Sequence, residues 1–378
     1  GVPQALTSVP IVREQTAVFT HNTLNFTDTL NLQVGLRYQK IRNFTRTDLV
    51  LPADAPITFA FPWPLIPDGM TVGNALFNQT GDDFTRKNNY ALTGSVKLSW
   101  FVMDDAMAYI GYDRSFRPSG ITITPTPLSS DLLLFDEEFS DNYELGWKST
   151  LLDGTLRLNA TLFYQMYDGY QARIAEPIVN PVGDGNVLNE ERMSGGLVFN
   201  HDAIVQGAEV FVDTNLTETW FIGGGVTYTD ARFEDGVAPC SDPGNIPAPQ
   251  QVANCDVGGD RISAMPLWNA TVNSEFYVPF SSVEWYVRGN FNWRSEGFDE
   301  NAPDDPIADY GVLDMFTGIR SQEGNWLVEL WSKNITDVQR KSEPRGPELA
   351  GPFTTNFRYS PMIPGRVIGI TARYDFDM

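Results

Sequence analysis

The 378-residue sequence lacks any stretch approaching the roughly 18 consecutive apolar residues that a membrane-spanning helix requires. Basic residues are also scarce: 26 Lys and Arg stand against 48 Asp and Glu, which gives a formal net charge of −22. Because binding to nucleic acid depends on cations that neutralise phosphates, this charge argues against a nucleic-acid partner.

Cysteine and histidine are rare as well, with two of each. Cys240 and Cys255 lie in one Pro/Gly/Asn-rich segment without C-x-x-C spacing, so we predict a disulfide between them, with free thiols as the alternative. His21 and His201 belong to no nucleophile motif, and neither G-x-S-x-G nor H-E-x-x-H occurs. We therefore predict no enzyme, no metal site and no cofactor.

What the chain does contain is typical of a β-barrel. Hydrophobic residues reach 42% and aromatic residues 12%, while 32 Gly and 25 Pro supply turns and long loops. Apolar and polar residues alternate with a period of two, as in Leu30, Leu32, Val34, Leu36 and Tyr38, whose neighbours are polar or small. A strand with this pattern has one apolar face and one wet face.

Thirteen such segments are predicted, approximately at 15–26, 30–44, 89–101, 106–116, 141–150, 155–173, 203–214, 220–232, 267–278, 283–294, 310–321, 326–334 and 366–376. Short turns and long loops alternate between them, which is the layout of outer-membrane barrels with periplasmic turns and extracellular loops. Bacterial barrels of this kind have an even number of strands. The odd number predicts that the single barrel domain, residues 1–378, is N-terminally incomplete.

Five segments resemble the barrel of TonB-dependent receptors, especially receptors for iron complexes. They are MDDAMAYIGYDRSFRPSG from Met103, NYELGWKSTLLDGTLRLNATLFYQMY from Asn142, GAEV with WFIGGGVTYTDARF from Gly207, LWSKNITDV from Leu330 and PGRVIGITARYDF from Pro364. The sequence departs from the family at its end, because Asp377 and Met378 follow the final aromatic residue, Phe376.

The resemblance implies an all-β, antiparallel transmembrane barrel of which about 13 C-terminal strands of a probable 22 are present, without the plug domain and the TonB box. It also implies an outer-membrane active transporter that imports a ferric siderophore or other iron complex. Expected partners are the TonB protein, through the missing N-terminal region, a metal chelate, and outer-membrane lipid with lipopolysaccharide around a monomeric barrel. A passive porin-like channel remains the alternative.

Two groups of residues are candidates for ligand binding. Phe61, Trp63 and Phe77 lie in one long aromatic-rich loop, where an exposed apolar cluster could capture an organic ligand, although packing within the loop is the alternative. Arg114 and Arg117 flank Phe116 at a predicted extracellular strand end and could attract an anionic chelate, with rim hydrogen bonding as the alternative.

Overall fold

A computed structural model describes residues 6–8, 11–45, 48–50, 86–122, 128–193, 196–241, 244, 246–262, 265–298, 306–343 and 361–376. Thirteen strands form its main sheet: β1 (Ile11–Asn25), β2 (Leu30–Thr45), β3 (Arg86–Met103), β4 (Ala106–Arg117), β5 (Glu138–Leu151), β6 (Leu156–Ile174), β7 (Leu197–Thr217), β8 (Trp220–Phe233), β9 (Trp268–Phe280), β10 (Val283–Arg294), β11 (Tyr310–Ser321), β12 (Trp326–Lys333) and β13 (Val367–Tyr374).

Each strand pairs antiparallel with the next one in the chain, so β1 and β13 are the two edges of an open wall. This confirms the all-β class and the thirteen predicted strands, while closure into 22 strands and the absence of a plug stay predictions. Several strands extend beyond their predicted limits; β7, for example, begins at Leu197 instead of residue 203. The added residues pair with β6, because a strand continues as long as its neighbour supplies hydrogen-bonding partners.

The connections alternate in length as predicted. Short turns occupy 26–29, 104–105, 152–155, 218–219, 281–282 and 322–325 on one rim. Long connections lie on the other rim, where short strand pairs such as Ile178–Val179 with Glu191–Arg192 organise the described loops. Within the described part of the chain, none of the helices has the length and apolar character to span a membrane.

One face of the wall is apolar and exposed. Large side chains with more than a third of their surface accessible occupy alternate positions on neighbouring strands, among them Leu36, Leu92, Ile110, Leu145, Leu162, Val226, Val272, Leu330 and Ile370. A soluble protein rarely leaves so extensive an apolar surface uncovered, whereas a transmembrane barrel turns such a face towards lipid.

Three tryptophans among the described residues of this face donate their indole N–H groups within the sheet. They lie near the short-turn rim and donate to hydroxyls on the same face, Trp147 to Ser149, Trp220 to Ser274 and Trp285 to Thr317, at 3.0–3.1 Å. An aromatic ring with a satisfied polar group suits the membrane–water boundary. Tyr109 lies on the opposite face and is buried over Gly146.

The opposite face is concave. Tyr286 on β10 donates to Glu329 on β12 across the intervening strand (2.7 Å), and Tyr109 on β4 lies 3.4 Å from the hydroxyl of Thr161 on β6. Side chains of strands two apart meet only on the inside of a curved sheet, so this face is the inner face of the wall.

Candidate functional site

The inner face carries an ionic network near the short-turn rim. Arg320 pairs with Glu275 at 2.8 Å and with Glu284 on the strand between. Glu329 accepts the hydroxyl of Tyr286, and Arg288 lies 3.4 Å from the same carboxylate. Since these partners come from four consecutive strands, β9 to β12, the network ties the wall together and gives it a fixed polar lining.

Higher on the inner face, glycine makes room for a buried aromatic ring. A Cβ atom on Gly146 would overlap the ring of Tyr109, its direct partner across β4 and β5. Lys97 places its ammonium 3.9 Å from the centre of that ring, within cation–π range. The glycine is therefore needed for close packing and not for backbone flexibility.

A second cluster lies on the inner face at the long-loop rim, and we call it the mouth cluster. It consists of Arg117, Glu138, Tyr167, Tyr170, His201 and Phe233. Arg117 lies 3.4 Å from Glu138, the two tyrosine rings meet edge to face at 5.2 Å, and His201 meets Phe233 at 5.3 Å. Cations, carboxylates and aromatic rings in one place are suited to an organic ligand that carries both charge and flat apolar surface.

An irregularity in β6 creates this cluster. Tyr167 and Tyr170 are three residues apart, a spacing that would place them on opposite faces of a regular strand. The register of β6 with β7 shifts between them, and Gly169 adopts a φ of +67°. Both tyrosines consequently face inwards, which is a common use of a β-bulge beside a functional site.

Above the wall, the described parts of three long loops pack on one another and form what we call the loop layer, residues 118–122 with 128–137, 175–193 with 196, and 234–241 with 244 and 246–257. Its core contains Leu128, Leu133, Val179, Met193 and Val252, which pack with Leu197 at the start of β7, and a second core consists of Ile178, Ile246 and Ala253. Backbone hydrogen bonds connect the loops: Ile178 donates to Cys240, Cys240 to Ala253, and Ala253 to Ile178, at 2.9–3.0 Å. The described loops are therefore a packed unit and not independent flexible segments.

A disulfide joins Cys240 and Cys255 within this layer, with the two Cα atoms 5.7 Å apart. It closes the segment that carries Ile246 and Ala253 into the second core. The alternative of free thiols is therefore wrong, because both cysteines of the chain belong to this disulfide.

Hydrogen bonds also fix the tip of the loop that follows Ile178–Val179. Asn180 is fully buried, and its side chain holds both Asp184 and the backbone of Gly183. The backbone N–H of Asn186 and the amide of Asn180 donate to the Asp184 carboxylate and lower its pKa. In the described ranges, no three His, Cys, Asp or Glu side chains converge in a way that could hold a metal ion.

The structure separates the predicted ligand-binding residues. Arg117 lies on the inner face, in the mouth cluster, while Arg114 and Phe116 point to the outer face. There Arg114 pairs with Asp141 at 2.8 Å, and the ring of Phe116 lies 5.2 Å from that of Phe139. Strand alternation explains the separation, because Arg114 and Arg117 are an odd number of residues apart.

Phe61, Trp63 and Phe77 lie outside the described residues, so their part in binding stays a prediction. Sequence reasoning missed Tyr167, Tyr170 and Phe233. The signal that could have found the first two is the run Tyr167–Asp168–Gly169–Tyr170, in which a glycine inside a strand pattern indicates a bulge.

Comparisons with known proteins agree with this architecture. A family model described as "TonB dependent receptor-like, beta-barrel" matches residues 3–335. The ferric-pyoverdine 358 receptor of Pseudomonas putida is 28% identical over 134 residues, which cover 35% of this chain and 14% of that receptor.

Solved structures share the fold at low identity. The ferric yersiniabactin uptake receptor FyuA from Yersinia pestis is 16% identical with a TM-score of 0.66, over 98% of this chain and 47% of that one. The copper transporter OprC is 14% identical with a TM-score of 0.63, over 97% and 48%. This chain thus spans less than half the length of these relatives. It belongs to the TonB-dependent receptor-like β-barrel family, whose members lie in the outer membrane of Gram-negative bacteria.

Proposed function

We propose that the intact protein is a TonB-dependent importer, which binds an organic metal complex outside the cell and passes it through the barrel. One observation supports this above all. The wall has an apolar outer face and an ionic inner face, and it matches the receptor barrel family over residues 3–335. The barrel supplies walls and selectivity, and no covalent bond of the ligand changes.

The proposed ligand is a ferric siderophore or another iron complex. The names of two relatives, the ferric-pyoverdine receptor and the ferric yersiniabactin receptor, support iron. The similarity to a copper transporter makes complexes of other metals an alternative class of ligand, and cobalamin and glycans are further alternatives.

Within the described residues, the mouth cluster is the proposed contact surface for this ligand. Arg117 is half exposed although it is paired with Glu138, so its guanidinium keeps N–H groups for an anionic ligand. The rings of Tyr167 and Tyr170 offer flat apolar surface beside it. Phe61, Trp63 and Phe77 are a second proposed contact surface.

The proposed partners follow from the same family. TonB engages the intact protein, and the barrel works as a monomer among outer-membrane lipid and lipopolysaccharide. A passive porin-like channel is the less favoured candidate, because the matching family model describes receptors and the relatives named above are receptors and a transporter.

Uptake measurements test the transport proposal. Cells that express the intact protein as their only receptor are supplied with radioactive ferric chelates, with and without a functional TonB protein. We expect accumulation of at least one chelate that stops when TonB is absent or the proton gradient is dissipated. Accumulation that is independent of both, together with rapid swelling of proteoliposomes in small sugars, would establish the porin instead.

A pair of variants tests the mouth cluster. Arg117→Gln and Arg114→Gln each remove one guanidinium and one ion pair from β4, but on opposite faces. We expect Arg117→Gln to weaken chelate binding about tenfold, the loss of one charge-assisted hydrogen bond. Arg114→Gln should leave binding unchanged. Equal affinities of the two variants would remove Arg117 from the site without affecting the transport proposal.

A further inference from the structure

Side-chain amides line the inner face of β9 and β10 in the half that lies towards the long-loop rim. Alternation places five polar, uncharged residues there, and we call them the asparagine patch: Asn269, Thr271, Asn273, Asn290 and Asn292. Asn273 is the direct partner of Asn290 across the two strands, and Thr271 is that of Asn292. The patch extends from Asn269 at the rim to Asn273, about 13 Å at 3.3 Å per residue.

The amides of the patch have unused hydrogen-bonding capacity. Three of its five members are exposed, and Asn269 and Asn290 are half-buried. Among the residues that the structure describes, none forms a hydrogen bond with any of the four asparagine side chains. By contrast, Asn142 on the inner face of β5 donates to Glu144 at 3.0 Å. The donors and acceptors of the patch are therefore available to a ligand.

The patch is uncharged although charged groups adjoin it. Directly below it, Glu275 and Arg288 are a cross-strand pair of the ionic network. Above it, the guanidinium of Arg294 lies 5.6 Å from the centre of the Tyr310 ring. Amides offer an ionic group no opposite charge, which is what makes a hydrogen bond strong. The patch is suited instead to uncharged groups that both donate and accept hydrogen bonds.

An aromatic ring borders the patch on the side of β7. Phe211 lies over Gly225, the direct partner of Thr271, and 45% of its surface is exposed. A Cβ atom on Gly223 would lie 2.8 Å from Oδ1 of Asn273, so this amide leans across β8 towards the side of the ring. Because neighbouring strands are about 4.8 Å apart, one small ligand can contact the ring and the amides together.

A sugar ring matches this arrangement. Its hydroxyl groups donate and accept hydrogen bonds around its edge, and its C–H groups form an apolar face. An asparagine amide has donors and an acceptor side by side, so it can bond two neighbouring hydroxyl groups at once. An exposed aromatic ring can cover the apolar face. We propose that the asparagine patch and Phe211 form a binding site for a saccharide.

This assignment rests on the proposed function in one respect, since the saccharide is then a sugar unit of the imported ligand. The mouth cluster binds the anionic part of that ligand, and the asparagine patch distinguishes ligands that carry sugar from those that do not. Saccharide binding itself can be measured without transport.

The test uses the intact protein in lauryldimethylamine oxide, a detergent without sugar head groups, and saturation-transfer difference NMR. Maltotriose, cellotriose and mannotriose are the probes, and the peptide triglycine is the reference. We expect at least one trisaccharide to bind with a Kd of about 1 mM, as is usual for a small ligand held by a few neutral contacts. Triglycine should not bind.

Asn273→Ala with Asn290→Ala removes the central pair of the patch. We expect the bound trisaccharide to lose affinity about thirtyfold, roughly fivefold for each of two neutral hydrogen bonds. Asn25→Ala with Asn31→Ala is the matched control. These two asparagines are also direct partners on the inner face, but they lie on β1 and β2 at the short-turn rim. This control should bind like the wild type.

The proposal is overturned if none of the three trisaccharides binds, if triglycine binds equally well, or if the two double variants have the same affinity. Folding of each variant is checked by heat-dependent mobility in SDS gels. Should Asn273→Ala with Asn290→Ala not fold, the wild type is titrated with the permethylated form of the bound trisaccharide, which has no hydroxyl donors. Equal binding of both forms would reject the site. TonB-dependent uptake of a sugar-free ferric chelate would still support the transport proposal, so the two failures are distinguishable.

Discussion

The disulfide of the loop layer gives a prediction whose size follows from the structure. Cys240 and Cys255 are separated by 15 residues, and the segment between them contributes Ile246 and Ala253 to the second core of the layer. Replacing both cysteines by serine removes the cross-link but leaves these apolar contacts in place. The conformational entropy of the open segment then increases, because the cross-link no longer restricts it.

For a closed loop of about 15 residues, the loss of this constraint amounts to about 3 kcal/mol. Converted at 1.36 kcal/mol per tenfold, opening of the segment should become more frequent by roughly two orders of magnitude. The wall should not respond, because its strands are held by their own ladders and not by the loop.

Hydrogen exchange measures this directly at amides whose partners are known. The N–H of Cys240 bonds to Ala253, that of Ala253 bonds to Ile178, and that of Ile178 bonds to Cys240. We expect these amides to exchange about a hundredfold faster in the double serine variant, and equally fast in the wild type after reduction. Amides in the middle of β6 and β7 should keep their protection.

Unchanged exchange at these amides would refute the reasoning, since the apolar cores alone would then hold the segment closed. Faster exchange that spreads into β6 and β7 would refute it in another way. The loop layer would then be part of one cooperative unit with the wall instead of a separately opening one.

Two further predictions concern single positions. Gly146→Ala should destabilise the wall by about 1–3 kcal/mol in denaturant titrations, because the new methyl group overlaps the ring of Tyr109, whereas Gly111→Ala has room and should cost less. Asp337 lies in the loop after β12, and the backbone N–H of Arg366 donates to its carboxylate and lowers its pKa. A carboxyl group whose pKa is lowered by folding stabilises the folded state fully at a pH above its unfolded pKa near 3.9. It loses this contribution as the pH falls through its folded pKa. Exchange at the Arg366 amide should therefore accelerate below about pH 4 in the wild type. In Asp337→Asn it should be independent of pH in this range, after correction for intrinsic rates, because the amide oxygen of asparagine accepts the same N–H but does not titrate. An Arg366 amide that behaves identically in both proteins would contradict this.

Much of the fold could be predicted from the sequence, because side-chain alternation is a local property. Leu30 to Tyr38 repeats its apolar residues every second position, and lipid accepts only the face that these residues form. Turn and loop lengths then order the strands, since antiparallel neighbours joined by a few residues must be adjacent. The same local motifs suffice for the family resemblance.

The candidate site could be predicted only in part. The sequence indicated Arg117, but it also indicated Arg114 and Phe116, which the strand places on the lipid side. The glycine at position 169 indicates a bulge, but not that Tyr167 and Tyr170 come to lie on one face. A bulge forms where one strand has an extra residue relative to its partner, so it depends on the pairing of two strands and not on the sequence of one.

The loop layer shows the same division. Cysteine content and spacing were enough to predict the bond between Cys240 and Cys255, because a short segment limits how far its ends can separate. That this segment packs against Ile178 and Val179 from another loop was decided by tertiary structure alone. Patterns within one strand fix which side chains face lipid, whereas contacts between distant loops depend on shape and hydrogen-bonding partners that only the assembled wall brings together.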